Sequence, residues 1–289
     1  MNYIAYDEMS SFDYEGEKTY SYHRNKLYLR ADSAKVVDNG TVKPENANLI
    51  EPVIKFDLNR SYLVKNEMMT LDMLRTNDWE RPVYFTSIGS SNTLGLNDYF
   101  QNEGFAYRLV PVKSSSAGRI DSDIMYDNLM NTYRWGNMND PNIVIDHTIN
   151  RTTRIVKIRD NFRDLAILLA QEGDTVRAKE VIARCDEIMP ISIFIHGVFD
   201  VDYANAYYTV GDMEGGDNFL REVVKISTQE LDLFFGLDRD LRMRCDMDIQ
   251  FSMETYRRVL RNLMVNNREE LFNELEPKFN EYMMLYEGR

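Results

Sequence analysis

The sequence predicts an α+β protein: a small α/β domain over residues 1–140, followed by an all-α helical repeat domain over residues 141–289. Three observations carry this. Short alternating or β-branched runs are confined to the first half, where Tyr, Asn, Ser and Gly are common. From Phe162 to Pro190, small and apolar residues stand at the spacing of one helix–turn–helix unit. Between the two halves, Gly136 to Pro141 is polar, turn-rich and free of periodicity, as a domain boundary should be.

In chain order, Lys26–Arg30 and Val53–Asp57 alternate apolar and polar residues like half-buried strands, with Asp38-Asn39-Gly40 and Lys43-Pro44 as turn chemistry between them. A helix is expected from near Ser61, carrying Val64, Met68, Leu71 and Leu74 on one face and stopping before Thr76-Asn77-Asp78. Pro82–Ile88 reads as a strand, with Pro82 at its start, where a missing N–H does least harm. A loop over Gly89–Asn92, a short helix over Leu94–Asn102 and a strand over Phe105–Val112 complete a small helix–strand layer. Ser114–Gly118 is a surface loop, and Ile124, Leu129 and Tyr133 mark one more helix.

Beyond residue 141 the pattern is almost wholly helical, with Asp146 as a cap for a long helix through Ile155, Phe162 and Leu169. With Gly173 at the turn, Phe162, Leu165, Ala166 and Leu169 face Ala178, Ile182 and Cys185, and Pro190 closes the unit. This is the tetratricopeptide pattern, in which small residues let antiparallel helices approach and the pair stacks on its neighbours. A shift of 38 residues repeats it: Ala204, Tyr207 and Gly211-Asp212 fall on Ala166, Leu169 and Gly173-Asp174. In that second pair Gly216 stands where the packing alanine belongs. A third pair, roughly Met253–Val265 and Glu269–Tyr286, lacks the small residues and reads as a terminal cap.

Acidic residues outnumber basic ones by 47 to 34, which argues against a nucleic-acid surface. The excess concentrates in Asp186–Asp232, where ten carboxylates meet only Arg221 and Lys225; this reads as a solvated helical face. No apolar run reaches the roughly 18 residues of a membrane helix, and Met1–Ser11 does not have the make-up of a signal peptide. Cys185 and Cys245 show neither a disulfide framework nor zinc spacing, and Cys185 reads as a small inward hydrophobe.

No catalytic constellation stands out. None of His23, His147 and His196 has partners at metal-ligand spacing. Asp200/Asp202 and Asp212/Glu214/Asp217 invite a calcium reading, but EF-hand spacing is absent and turn chemistry accounts for them. No metal or cofactor is expected. Gly89-Ser90-Ser91-Asn92 resembles a phosphate-cradling loop only faintly, lacking a Walker lysine. Asn39-Gly40-Thr41 and Asn150-Arg151-Thr152 fit the N-glycosylation triplet, a short pattern that arises often by chance. The string Asn77-Asp78-Trp79-Glu80-Arg81-Pro82-Val83-Tyr84-Phe85 is the most distinctive non-helical feature. It lies at a strand start, whereas ligands of open α/β layers gather at strand C-termini, so Trp79 is read as packing and Arg81 as bonded to carbonyls or a carboxylate.

That string, continued by Leu94-Gly95-Leu96 and by Tyr99-Phe100-Gln101-x-Glu103-Gly104-x-Ala106-Tyr107-Arg108-Leu109-Val110-Pro111, resembles the C-terminal region of a bacterial membrane family. Its members are very large multi-spanning proteins of unknown function, grouped with GT-C type glycosyltransferases and related to an animal protein O-mannosyltransferase. The similarity runs from about Leu27 to the C-terminus. Transferase chemistry in that family belongs to the membrane-embedded part, which nothing here matches, so no catalytic residue carries over. The resemblance implies a soluble tail on the periplasmic face of a bacterial inner membrane, a non-catalytic module presenting an acceptor protein, a glycan or a partner subunit to the membrane-embedded half.

The residues singled out as ligand contacts are Asn77, Trp79, Arg81, Ser90, Tyr203 and Tyr208. Two other readings stand beside this one. One is an independent enzyme with a pocket between Ser87–Leu96 and the helical domain. The other is a glycan-binding surface protein with tetratricopeptide helices, which needs a lipidated N-terminal cysteine that the first 20 residues do not contain.

Overall fold

The computed structural model describes residues 10–14, 17–21, 26–58, 63–88, 93–114, 118–143, 155–191, 193–194 and 197–288. They form a mixed α+β chain of two compact units, Met1–Met125 with all the strands and Tyr126–Arg289 with the long helices. Ser61, Ser90, Asp146, the three histidines and Asn150-Arg151-Thr152 lie outside the described residues.

In the first unit, strands β1 (Ser10–Tyr14) and β2 (Glu17–Ser21) pair as an antiparallel hairpin. Strands β3 (Lys26–Arg30) and β4 (Val53–Asp57) pair antiparallel from Lys26↔Asp57 to Arg30↔Val53, on the segments that alternate in the sequence. The period-2 pattern sends Leu29, Ile54 and Phe56 into the core and leaves Tyr28 and Lys55 outside. Helix α1 (Ser33–Asp38) lies between them; the Asp32 carboxylate accepts from the amides of Ala34 and Lys35 at its start, and Val36 is its buried residue. The Asp38-Asn39-Gly40 turn therefore ends a helix, with Gly40 at φ +71°.

Helix α2 spans Lys65–Asn77. Glu67 accepts from the amide of Val64, which is half of a capping box, since valine has no side-chain oxygen to return the bond. The helix runs two residues further than expected. The Thr76 hydroxyl bonds back to the Asp72 carbonyl and keeps the last turn helical until Asp78 adopts φ +42°.

A four-stranded sheet follows in the order β5 (Tyr84–Phe85), β7 (Tyr107–Leu109), β6 (Phe100–Asn102), β8 (Arg119–Ile120); the β5–β7 and β7–β6 pairs are antiparallel and β6–β8 is parallel. The strands are shorter than the sequence suggests. The helix expected over Leu94–Asn102 is instead a 3-10 turn, Asn97–Tyr99, running into β6. Leu94 at φ +54° and Gly95 at φ +83° reverse the chain there. A Cβ on Gly95 would lie 2.4 Å from the Asp57 carbonyl oxygen, so only glycine fits that approach to β4. Leu29, Ile54, Leu71, Leu74, Phe100 and Leu109 are among the residues of one apolar core.

In the second unit, the segment after helix α3 (Ser122–Asp127) makes a π-helical turn, Asn128–Thr132. The Tyr126 hydroxyl donates to Glu180 (2.6 Å), and the Trp135 ring lies 5.4 Å from that of Phe162. Three helical hairpins follow: α4 (Ile155–Gln171) with α5 (Thr175–Ile188), α6 (Ala204–Thr209) with α7 (Met213–Gly236), and α9 (Asp246–Val265) with α10 (Glu269–Glu287). A short helix, α8 (Arg239–Arg244), precedes α9. Packing is sequential: α4 meets α5 and α6, α7 meets α6 and α9, and α9 meets α10.

All three hairpin turns share one hydrogen-bond pattern. Asp174 N–H donates to Leu169 and Gly173 N–H to Ala170; Asp212 to Tyr207 and Gly211 to Tyr208; Arg268 to Leu263 and Asn267 to Met264. Each is a Schellman turn with a left-handed residue at its tip: Gly173 (φ +90°), Gly211 (φ +81°) and Asn267 (φ +56°). In the first two, the aspartate after the tip also caps the next helix, accepting from Arg177 and Gly215. In the third that position is Arg268, which does not cap.

Candidate functional site

The Asn77–Phe85 string forms the joint between α2 and β5. Asn77 holds the turn with its side chain, donating to the Arg81 carbonyl (2.8 Å) and accepting from the Arg81 amide (3.2 Å). Trp79, at φ +64° and 7% exposed, belongs to the core; its indole N–H donates to the Arg30 carbonyl (2.7 Å). Its own carbonyl accepts from Asn39 Nδ2 (2.6 Å). That amide nitrogen is the atom glycosylation would modify, and a sugar there would leave it a single N–H for this bond. The Arg81 side chain is exposed, and among the described residues it makes no ion pair. A dent too small for a sugar lies between Leu74, Asn77, Trp79, Arg81 and Val83. Asn77, Trp79 and Arg81 thus meet, around a packed indole.

In the helical unit Tyr203 and Tyr208 are buried, at 3% and 7% exposure. The Tyr203 hydroxyl reaches the Ile182 carbonyl (3.3 Å) and Asp186 (3.4 Å), and Tyr207 donates to the same carboxylate (2.5 Å). Burial, then the neighbouring Cys185 and Asp186, push the Tyr203 phenol well above its ordinary range. Tyr208 donates to Asp217 (2.9 Å), which also takes a two-pronged ion pair from Arg268 (3.0 and 2.5 Å). Burial opposes ionisation of Asp217, but the Arg268 and Tyr208 hydrogen bonds outweigh it and hold the carboxyl below its usual range. Tyr203 and Tyr207 reach back to the first hairpin, Tyr208 joins α6 to α7 within the second, and their hydroxyls are spent internally.

Of the carboxylates that invited a metal reading, Asp200, Asp212 and Asp217 are engaged in the same way. Asp200 forms an ion pair with Arg159 (2.8 Å), both essentially buried, and accepts from the Gly197 amide. Asp160 on α4 pairs with Arg163 (2.6 Å) with 38% of its side chain still exposed. Burial lifts its pKa to about 6; Arg163 pulls it down, while Asp164, Asp200 and Asp202 add to the rise.

The most developed polar arrangement lies elsewhere, and sequence reasoning gave its members no role. The sheet register sets Tyr84 opposite Arg108, Arg108 opposite Gln101, and Gln101 opposite Arg119, one row of side chains across four strands. Glu103, 5% exposed, accepts from Tyr84 (2.9 Å) and Gln101 (2.9 Å), with Arg108 at 3.9 Å. Above the row, Lys43 bridges Asp121 (2.8 Å) and Asp123 (2.9 Å). Burial works against the Lys43 ammonium, but the hydrogen bonds to both aspartates outweigh it and raise its pKa. Thr41, Lys43, Asn46, Gln101, Arg119 and Asp121 surround a second small dent. The signal in the sequence was the alternation Gln101-x-Glu103, with arginines at 108 and 119; the register that joins them comes from long-range pairing.

Residues 1–124 match the family model described as TMEM260-associated domain 2, which ties this part of the chain to a domain that accompanies a membrane protein. Comparison with the curated proteins and with the solved structures found no match. Among the described residues no helix is long and apolar enough to cross a membrane.

Proposed function

We propose that this chain is a non-catalytic accessory module of a membrane-embedded glycosyltransferase of the protein O-mannosyltransferase type. In this reading it presents an acceptor protein, a glycan or a partner subunit on the periplasmic face of the membrane. The observation that carries the proposal is the match of residues 1–124 to a domain associated with a membrane protein. The three stacked hairpins, with their shared turn and a close analogue of the tetratricopeptide spacing at Phe162–Pro190, support a docking role, since such arrays present extended surfaces to partners. The engaged aspartates and tyrosines of the helical unit support a scaffold rather than a reactor.

The test is co-purification and transfer. Affinity-tagged chain, produced in its own cells and extracted with mild detergent, is expected to bring down a multi-spanning glycosyltransferase. Sugar transfer to acceptor by that transferase is expected to fall when the chain is depleted. Recovery of no such transferase, or turnover of a sugar donor by the purified chain alone, overturns the proposal.

A further inference from the structure

We propose that the polar row of the four-stranded sheet is a binding subsite for a small oxyanion, the carboxylate or phosphate group of a ligand, held chiefly by Arg119 with Arg108 beside it. The inference stands independently of the accessory-module reading.

Around the row, donors exceed the acceptors that meet them. Every carboxylate near the row already has its partners. Glu103 takes the Tyr84 hydroxyl and the Gln101 amide, Asp121 takes Lys43 and the Ile124 amide, and Asp123 takes the other side of Lys43. The guanidiniums are the unspent groups. Arg108, with 13% of its side chain exposed, makes one 3.3 Å hydrogen bond to the Thr41 hydroxyl, stands 3.9 Å from Glu103, and has a buried Nε with no hydrogen-bond partner. Arg119 is only half-buried, and none of the hydrogen bonds or ion pairs among the described residues uses its guanidinium. A buried N–H of a charged group left unpaired costs more than a neutral one, so a site with this much donor capacity in hand favours an acceptor that brings its own negative charge.

Geometry limits what that acceptor is. Arg108 and Arg119 flank Gln101 on the two neighbouring strands, about 10 Å apart at the backbone; Arg119 lines the dent, and Arg108 adds a second positive charge on the other side of Gln101. The dent beside Arg119 is about the size of one water, so a single oxygen of the group enters it, beside Asn46 and the Lys43–Asp121 pair. An arginine fork suits the planar carboxylate and the phosphate oxygens alike. Either source presents the same oxyanion, with the rest of the ligand lying outside the dent.

Two ions and one variant test this. The intact chain is titrated with inorganic phosphate and, separately, with acetate, each against sodium chloride at matched ionic strength, following the backbone amide resonances of Gln101, Arg119 and Asn46. Saturable shifts with at least one ion are expected, weakened about tenfold in Arg119→Gln and unchanged in the surface variant Arg184→Gln. Preference for phosphate assigns the ligand to phosphorylated compounds, and preference for acetate to carboxylated ones; each supports the site. Arg108→Gln gives a second reading where it folds, and because Arg119 is half-exposed the Arg119→Gln chain does not depend on it. Saturation by neither ion, or equal binding by Arg119→Gln and the native chain, overturns the proposal.

Discussion

The first two helical hairpins share a turn down to its hydrogen bonds, yet they fill the space between their helices in opposite ways. Superposed by the 38-residue shift, Ala170 and Ala178 of the first fall on Tyr208 and Gly216 of the second. One hairpin closes with two small side chains; the other sets a large ring against no side chain at all. A Cβ on Gly216 would lie 2.4 Å from the Tyr208 ring. The same shift sets buried Phe162 against buried Asp200, and half-exposed Asp160 against buried Val198. At the Tyr208–Gly216 contact the larger ring is matched by the missing side chain, the complementary exchange that close packing requires.

The comparison breaks most easily at Asp200. Where the first hairpin buries an aromatic ring, the second buries a charge, neutralised by Arg159 across the hairpin boundary. Arg159→Met is expected to cost about 3–5 kcal/mol in urea unfolding, because it strands the carboxylate. The double variant Arg159→Met/Asp200→Leu is expected to recover most of that loss. A double variant as unstable as the single one would show that the pair is not interchangeable with apolar packing.

Gly216→Ala comes next. Overpacking against the Tyr208 ring costs about 1–3 kcal/mol, and the better helix propensity of alanine returns about 1 kcal/mol. A net loss is therefore expected, and it should turn into a gain in the Tyr208→Ala background, where the second hairpin copies the first. Denaturant midpoints of the four chains measure this coupling, and additive effects would refute the volume exchange.

The smallest effect concerns Asp160, whose counterpart is apolar. Its folded pKa of about 6 lies above the roughly 3.9 of an unfolded aspartate. Its contribution to stability is therefore complete below about pH 4 and is lost as the pH rises through about 6. Asp160→Asn is expected to flatten the melting temperature over that window. With the side chain more than a third exposed, the change at neutral pH should stay within about 1 kcal/mol. A slope as steep as that of the native chain would remove Asp160 as its source.

Legibility in the sequence followed the range of the interactions involved. The β3 and β4 segments and the hairpin turns were readable because alternation, a glycine tip and an aspartate cap are written within a few residues. The third turn hid its likeness to the others, since Asn267 takes the glycine position and Arg268 the aspartate position. Leu94–Asn102 misled because its apolar spacing suits a helix, while two left-handed residues and the carbonyl of a distant strand forbid one. Trp79 was readable as packing. The row through Arg108, Gln101 and Arg119 was not, because its members meet only through sheet register, which one-dimensional spacing does not encode.

Arg268, whose side chain has no acceptor with which to cap its own helix, grips Asp217 of the preceding hairpin. The terminal hairpin thereby trades local autonomy for coupling to its neighbour. In a linear stack, where stability is summed over units and their junctions, strengthening a junction at the expense of one unit makes that unit less prone to opening alone. Heat or denaturant should then release the final two hairpins together, as a single cooperative block.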